Sequence, residues 1–548
     1  MASTAHALPN GAGHHHVLRP RPKALQLSRL VSAPDVEETG TTSGVTSGRS
    51  TPIPDNAPPS AKSLSSARRH ARAEQRRRLF PTVEFASRVS HFDPASDYRD
   101  FHGFFNLFWI GLAIMGITTM LRNFKDTGYP LRIQIWSLFT VKLWHLAVAD
   151  FLMVASTALS VFLHRWARSS TGFWTWRKAG LVVQSSYQLA WLVFWIGIPF
   201  WLEWTWTAQV FMLLHTMVLL MKMHSYAFYN GHLSEAEKRL RALDNPSAAD
   251  RTPAYKYPSA DGTVSATPDD IDSLSSGDDD DDDDDKDKVN LLRESLAREL
   301  TSPMGNITYP HNLTWSNYLD YLLCPTLCYE LEYPRVASVN WTSLVSKIVA
   351  TFGCIFLLTV TSEEFILPVL VDASRRLDAS APPSESLLIL AESISWLLFP
   401  FMLTFLLVFL VIFEYVLGAF AEITRFGDRH FYADWWNSTD WLEFSREWNI
   451  PVYSFLRRHV YGASKPHTGK MVATVITFLI SAAGHEIVMA CITKKIRGYG
   501  FVCMMLQLPI IMLQRTRCVR GRQTLNNVCF WCSMIIGLSM MCALYVLV

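Results

Sequence analysis

The sequence predicts an all-α polytopic membrane protein with about nine transmembrane helices. Three observations predict it. Of 548 residues, 49% are hydrophobic, with 19 Trp and 32 Phe. The apolar residues come in long continuous blocks, and about 20 such residues in a helix cross the hydrocarbon core of a bilayer. Basic residues gather beside several of the blocks, as positive flanks do on a cytosolic face.

In chain order, residues 1 to about 65 are rich in Ser, Pro, Thr, Gly and Ala with few large apolar residues, so they are expected to be disordered. No apolar run suited to a secretory signal occurs in the first hundred residues. A basic cluster at 67–79 follows, either a headgroup-binding segment or a solvated flank that sets topology. The apolar blocks are Phe104–Leu121, His145–Phe162, Gly180–Leu202, Trp206–Met221, Leu344–Val360, Leu387–Phe420, Lys470–Ile492, Phe501–Leu513 and Val528–Val548. Leu387–Phe420 exceeds one upright span, so it is one strongly tilted helix or two segments meeting near Pro400. The expected organisation is therefore a disordered cytosolic tail at 1–97 and a membrane domain at 98–548, interrupted by a disordered acidic loop at about 245–290.

The formal net charge of +2 conceals an asymmetry. Asp278–Asp285 is an unbroken run of eight aspartates, and without it the balance would be about +10. The run lacks the spacing and glycine of an EF-hand, so a solvated, self-repelling loop is the simpler reading. Arg68–Arg78 before the first block place the N-terminus in the cytosol. With nine spans, Lys494, Lys495 and Arg497 fall on the lumenal side, against the positive-inside trend. The nine cysteines are odd in number and sit mostly in apolar blocks; Cys529 and Cys532 have CxxC spacing around Phe530 and Trp531, which reads as packed thiols and not as zinc. No metal site and no nucleic-acid partner is expected.

The chemistry concentrates in one polar loop and the block after it. Residues 431–437 read FYADWWN, and His485 lies alone in the apolar stretch 471–493. A histidine placed in hydrocarbon is costly and marks a functional site. The aromatics of the loop, Trp435, Trp436, Trp441 and Trp448, would otherwise read as an interfacial belt.

FYADWWN followed by an intramembrane His-Glu resembles the signature of the membrane-bound O-acyltransferases, and within them the fungal-like sterol O-acyltransferases of the ACAT type. Residues 221–235, MKMHSYAFYNGHLSE, are similar to their histidine-serine-tyrosine motif, and PTLCYELEYPR at 325–335 to another of their segments. The resemblance covers about 98 to the C-terminus apart from the acidic loop. It implies an endoplasmic-reticulum enzyme of the membrane-bound O-acyltransferase fold. That enzyme would move a long-chain acyl group from acyl-CoA, its co-substrate, to a sterol 3-hydroxyl, with no cofactor, as a homodimer or homotetramer among membrane lipids. The alternatives are a diacylglycerol acyltransferase and a non-catalytic lipid-binding or transport protein.

The resemblance also implies the site. His485 is the general base and Asn437 the donor to the oxyanion. Trp436, Lys470, Tyr432, Ser481 and Gln507 are the acyl-CoA contacts, and Phe431, Tyr432, Asp434, Trp435, Trp436 and Asn437 form the motif. Several residues have a plainer reading beside this one. Ser481, four residues before His485, either orients the imidazole or is a small packing residue. Lys470 meets a CoA phosphate or snorkels to lipid. Asn437 is also a helix cap in waiting or a sequon. Glu486, about 100° further around the helix, is expected to serve a neighbouring helix.

Overall fold

The computed structural model describes residues 83, 85–92, 96, 102–130, 142–170, 172–243, 292–379, 382–516, 519 and 521–548. The basic cluster at 67–79 and Asp278–Asp285 lie outside the described residues.

Among the described residues the chain is helical, with three isolated β-bridges and no strand. The helices are α1 (His102–Thr127), α2 (Leu143–Thr157), α3 (Leu159–Ser169), α4 (Leu181–Trp201), α5 (Trp206–Leu243), α6 (292–299), α7 (Trp315–Leu323), α8 (Trp341–Thr361) and α9 (Leu367–Asp378). After them come α10 (Pro383–Phe409), α11 (Leu417–Ile423), α12 (Trp441–Glu447), α13 (Ile450–Phe455), α14 (Gly462–Thr468), α15 (Lys470–Thr493), α16 (Tyr499–Gln514) and α17 (Gln523–Leu547).

Eight helical runs among them are long and apolar enough to cross a membrane. The ninth expected block, Phe501–Leu513, is α16, whose 16 residues extend about 24 Å, short of a ~30 Å hydrocarbon core. Large apolar side chains such as Trp144, Trp201, Phe151 and Trp396 point outward from the bundle, the pattern of a protein solvated by lipid.

The long block around Pro400 is one helical run, Pro383–Ile423. Pro400 does not break it, and the register shifts later, in a π-helical segment at Leu410–Val416. That extra residue per turn turns Glu414 inward, where it is buried. Its carboxylate accepts from Ser90 Oγ at 2.5 Å and Tyr432 Oη at 3.0 Å, and pairs with Lys347 Nζ at 3.3 Å. An acid inside LVIFEYV is tolerable only with such partners.

α10 packs along α17, α15 along α16 and α5, and α4 along α5. Asp150 on α2 meets His215 on α5 at 2.6 Å, a polar bond between two apolar helices. At Gly231 the α5 backbone touches the Trp176 indole so closely that any Cβ would sit about 2.0 Å from ring carbon, so only glycine fits. The largest core cluster joins α5 and α7 to the loops: Tyr226, Tyr229, Tyr321, Tyr329, Tyr333, Phe409, Phe426, Tyr432 and Trp435 are all buried there.

Residues 83–92 lie N-terminal to the expected domain start at 98, and they are tied to it. Val83 N–H donates to Glu330 Oε1 at 3.0 Å, Arg88 pairs with Asp428 at 2.7 Å, and Arg88 exchanges backbone bonds with Gly427 and Arg429.

Candidate active site

The FYADWWN loop divides into an inner and an outer half. Phe431, Tyr432 and Trp435 are buried, packed on Phe409, Phe413 and Trp448. Tyr432 is 1% exposed and its hydroxyl is engaged by Glu414 and Ser90. Its expected place among the acyl-CoA contacts therefore offers almost no exposed surface, and its bonds tie the loop to Glu414 and Ser90. Trp436, half-buried, and Asn437, exposed, form the outer half. Trp435–Asn437 is a single 3₁₀ turn, with the Asn437 N–H on Asp434 O at 2.9 Å and the Asn437 Nδ2 at 3.5 Å from Asp434 Oδ2. The turn leaves the carbonyls of Trp436 and Ser438 without helical partners. Asn527 Nδ2 on α17 donates to both, at 3.0 and 2.9 Å, and Trp531 Nε1 donates to Trp436 O at 3.1 Å.

Around this loop the charges are unusual. Burial, reinforced by Glu443 and Asp434, pushes the Glu447 carboxyl up to about 7. Burial holds His430 down to about 4, with Arg88 and His91 adding to the effect. His430 stacks on His91, which lies against Tyr432 and Trp436.

His485 sits on α15, and its Nδ1 is 2.8 Å from the Ser481 carbonyl oxygen. A carbonyl only accepts, so Nδ1 carries a proton, and in the neutral tautomer Nε2 is the acceptor. Ser481 thus orients the imidazole, but through its backbone and not its hydroxyl. The His485 side chain is exposed. Its direction follows from Phe478, seven residues earlier and about 20° away around the helix. Phe478 packs on the cluster of Trp441, Ile511, Phe530 and Met534, so His485 shares the face of α15 that turns toward α12, α16 and α17. Of these, α17 also holds the Asn437 turn. Among the described residues no hydrogen bond joins Asn437 to His485.

Glu486 behaves as expected of a residue serving a neighbour. Its carboxylate accepts from Gly498 N at 2.7 Å and Phe501 N at 3.1 Å, capping the start of α16, and from Tyr545 Oη on α17 at 2.7 Å.

A family model described as the membrane-bound O-acyltransferase family matches residues 134–547. The chain belongs to the membrane-bound O-acyltransferase family. It is similar to the probable sterol O-acyltransferase 2 of Schizosaccharomyces pombe, 40% identical over 453 residues, covering 82% of this chain and 87% of the relative. It is similar also to the sterol O-acyltransferase 2 of Candida albicans, 31% identical over 491 residues, 85% of this chain and 78% of the relative. The diacylglycerol O-acyltransferase 1-1 of Oryza sativa subsp. japonica is 34% identical over 233 residues, 42% of each chain.

In this membrane-bound O-acyltransferase the other resembling motifs meet as a packed node. Ser225 Oγ accepts the Tyr329 N–H at 2.9 Å and lies 2.8 Å from His459 Nε2. His224 Nδ1 bonds Gln188 at 3.1 Å. Arg458 is buried against Glu330 at 2.9 Å. Asn312, in a sequon, is buried and bonds Asn230 and Tyr329, which closes it to glycosylation. Lys470 is exposed at the first position of α15, open to a ligand. Gln507 is half-buried with its amide on Met504 Sδ of its own helix, 3.4 Å away. Trp435 and Trp441 are buried, which removes them from any belt. Cys529 and Cys532 are exposed on α17, contrary to the packed thiols expected. Sequence reading passed over Glu414, Asn527 and Trp531. An acid inside an apolar run was the available signal for the first; Asn527 and Trp531, four apart on one helix face, carried none that separates them from packing.

Proposed function

We propose that this enzyme is an acyl-CoA:sterol O-acyltransferase of the endoplasmic reticulum membrane, its N-terminus in the cytosol, forming sterol esters for storage. The observation that carries the reading is similarity over more than four-fifths of the chain to proteins named sterol O-acyltransferases. In the proposed step Nε2 of His485 takes the proton of the sterol 3-hydroxyl as its oxygen attacks the thioester carbonyl. The Asn437 amide donates to the oxyanion that forms. Collapse expels CoA as thiolate, which recovers the proton from the imidazolium, leaving the ester and the neutral base. Trp436 and Lys470 would contact acyl-CoA, with Gln507 near the acyl chain. The step needs no cofactor beyond the acyl-CoA consumed. We take the working unit to be a homodimer or homotetramer.

The test is transfer from labelled oleoyl-CoA in microsomes lacking their own acyltransferases, with sterol and diacylglycerol in competition and His485→Ala in parallel. Sterol ester made by the parent and lost in the variant is expected. Triacylglycerol as the main product would favour the reading that the partial likeness to the Oryza sativa protein supports. Undiminished activity without His485 would remove it as the base.

A further inference from the structure

The 3₁₀ turn that presents Asn437 is too short to hold itself. It has two backbone bonds of its own, Asn437 N–H to Asp434 O and Ser438 N–H to Trp435 O. The carbonyls on either side of Asn437 are held from a different part of the chain, about ninety residues later. Asn527 and Trp531 are one helical turn apart on α17, so both face the loop. The amide of Asn527 spans the turn, with one Nδ2 on Trp436 O at 3.0 Å and Ser438 O at 2.9 Å. Trp531 Nε1 adds a second donor to Trp436 O at 3.1 Å, while its ring packs on Trp435, 5.6 Å between centroids. The carbonyls of the residues before and after Asn437 are therefore both fixed, which holds the turn that carries it.

We infer that Asn527 and Trp531 are positioning residues for acyl transfer, aiming the Asn437 amide by clamping the carbonyls of the two residues that flank it, Trp436 and Ser438. This rests on the proposed role of Asn437. The purpose of the clamp is electrostatic preorganisation: an amide stabilises an oxyanion only if it points at it before the charge develops. The source of rigidity is α17, itself packed along α10, so the oxyanion donor is referenced to the C-terminal helix and not to its own loop. A displacement of the order of 1 Å at such a group costs up to about a hundredfold in rate.

The experiment measures kcat and KM for oleoyl-CoA with sterol acceptor, in full-length protein, for Asn527→Leu, Trp531→Phe, Asn437→Ala and the double variant Asn437→Ala/Asn527→Leu. Trp531→Phe keeps an aromatic ring beside Trp435 and deletes the N–H together with one ring of the indole. Yield and melting temperature of detergent-extracted protein report folding independently. The clamp predicts that Asn527→Leu lowers kcat about ten- to a hundredfold, with KM changed less than threefold and a monodisperse, folded protein. Trp531→Phe lowers it less, and Asn527→Leu costs nothing further once Asn437 is alanine. Parental kcat in both Asn527→Leu and Trp531→Phe, beside an impaired Asn437→Ala, would overturn the clamp and leave Asn437 standing. Parental activity in Asn437→Ala would instead remove the oxyanion role, and the clamp with it. Equal losses from Asn527→Leu with and without Asn437 would show that the amide acts elsewhere, and would overturn the clamp as well.

Discussion

At the residue scale, the hydrogen bond from His485 to a carbonyl decides more than burial does. Because Nδ1–H is held by Ser481 O, the free nitrogen is Nε2. Ser481→Ala keeps that carbonyl, so its acyl transfer should stay within about twofold of the parent, whereas His485→Ala should lose on the order of 10²–10⁴-fold; initial rates in the same microsomes compare them. Glu447 offers a second test, of stability against pH. Its carboxyl, at about 7 in the fold against 4.5 ordinarily, keeps a proton that the unfolded chain releases. The folded state then binds more protons between those values, and stability falls as pH rises from 4.5 to about 7. Asp434, Asp440 and Glu443 add to the upward push and Arg446 opposes it. Glu447→Gln should raise the melting temperature at pH 8 and leave it unchanged near pH 4.5. His430, held low, contributes with the opposite sign, but equally in both proteins, so the comparison isolates Glu447.

At the element scale, the helix ends are where sequence and fold exchange information. α16 begins at Tyr499 with no capping side chain of its own, and the acceptor comes from α15 through Glu486. Replacing it by alanine should cost about 1–2 kcal/mol, read as a lower melting temperature in detergent; an unchanged melt would deny the cap. The π segment at Leu410–Val416 is another such place. Spacing alone predicts that the block around Pro400 tilts or breaks there, because proline removes a hydrogen bond. The helix passes it, and the shift occurs where Glu414 needs to reach Ser90, Tyr432 and Lys347. A proline is visible in a sequence; the partners that make a buried acid tolerable are not, since Ser90 and Tyr432 lie 324 and 18 residues away along the chain.

At the scale of the whole molecule, the buried Arg458–Glu330 pair locks three parts of the chain together. Glu330 accepts from Val83 as well as from Arg458, and Arg458 lies over the Tyr229 ring at 4.3 Å. Glu330→Gln leaves the guanidinium buried without its counter-charge, which should destabilise the fold by about 3–5 kcal/mol. The expected readout is loss of monodisperse protein on extraction, beyond what Glu486→Ala causes.

The all-α class and the membrane blocks followed from the sequence itself. Apolar run length and the cost of a polar group in hydrocarbon are local properties, readable without coordinates. Only the tertiary structure decided which half of the motif faces outward, that Tyr432 is internal, and that α17 holds the Asn437 turn. Those outcomes depend on hydrogen bonds between residues tens to hundreds of positions apart, and the composition of a segment says nothing about which distant carbonyl or carboxylate will meet it.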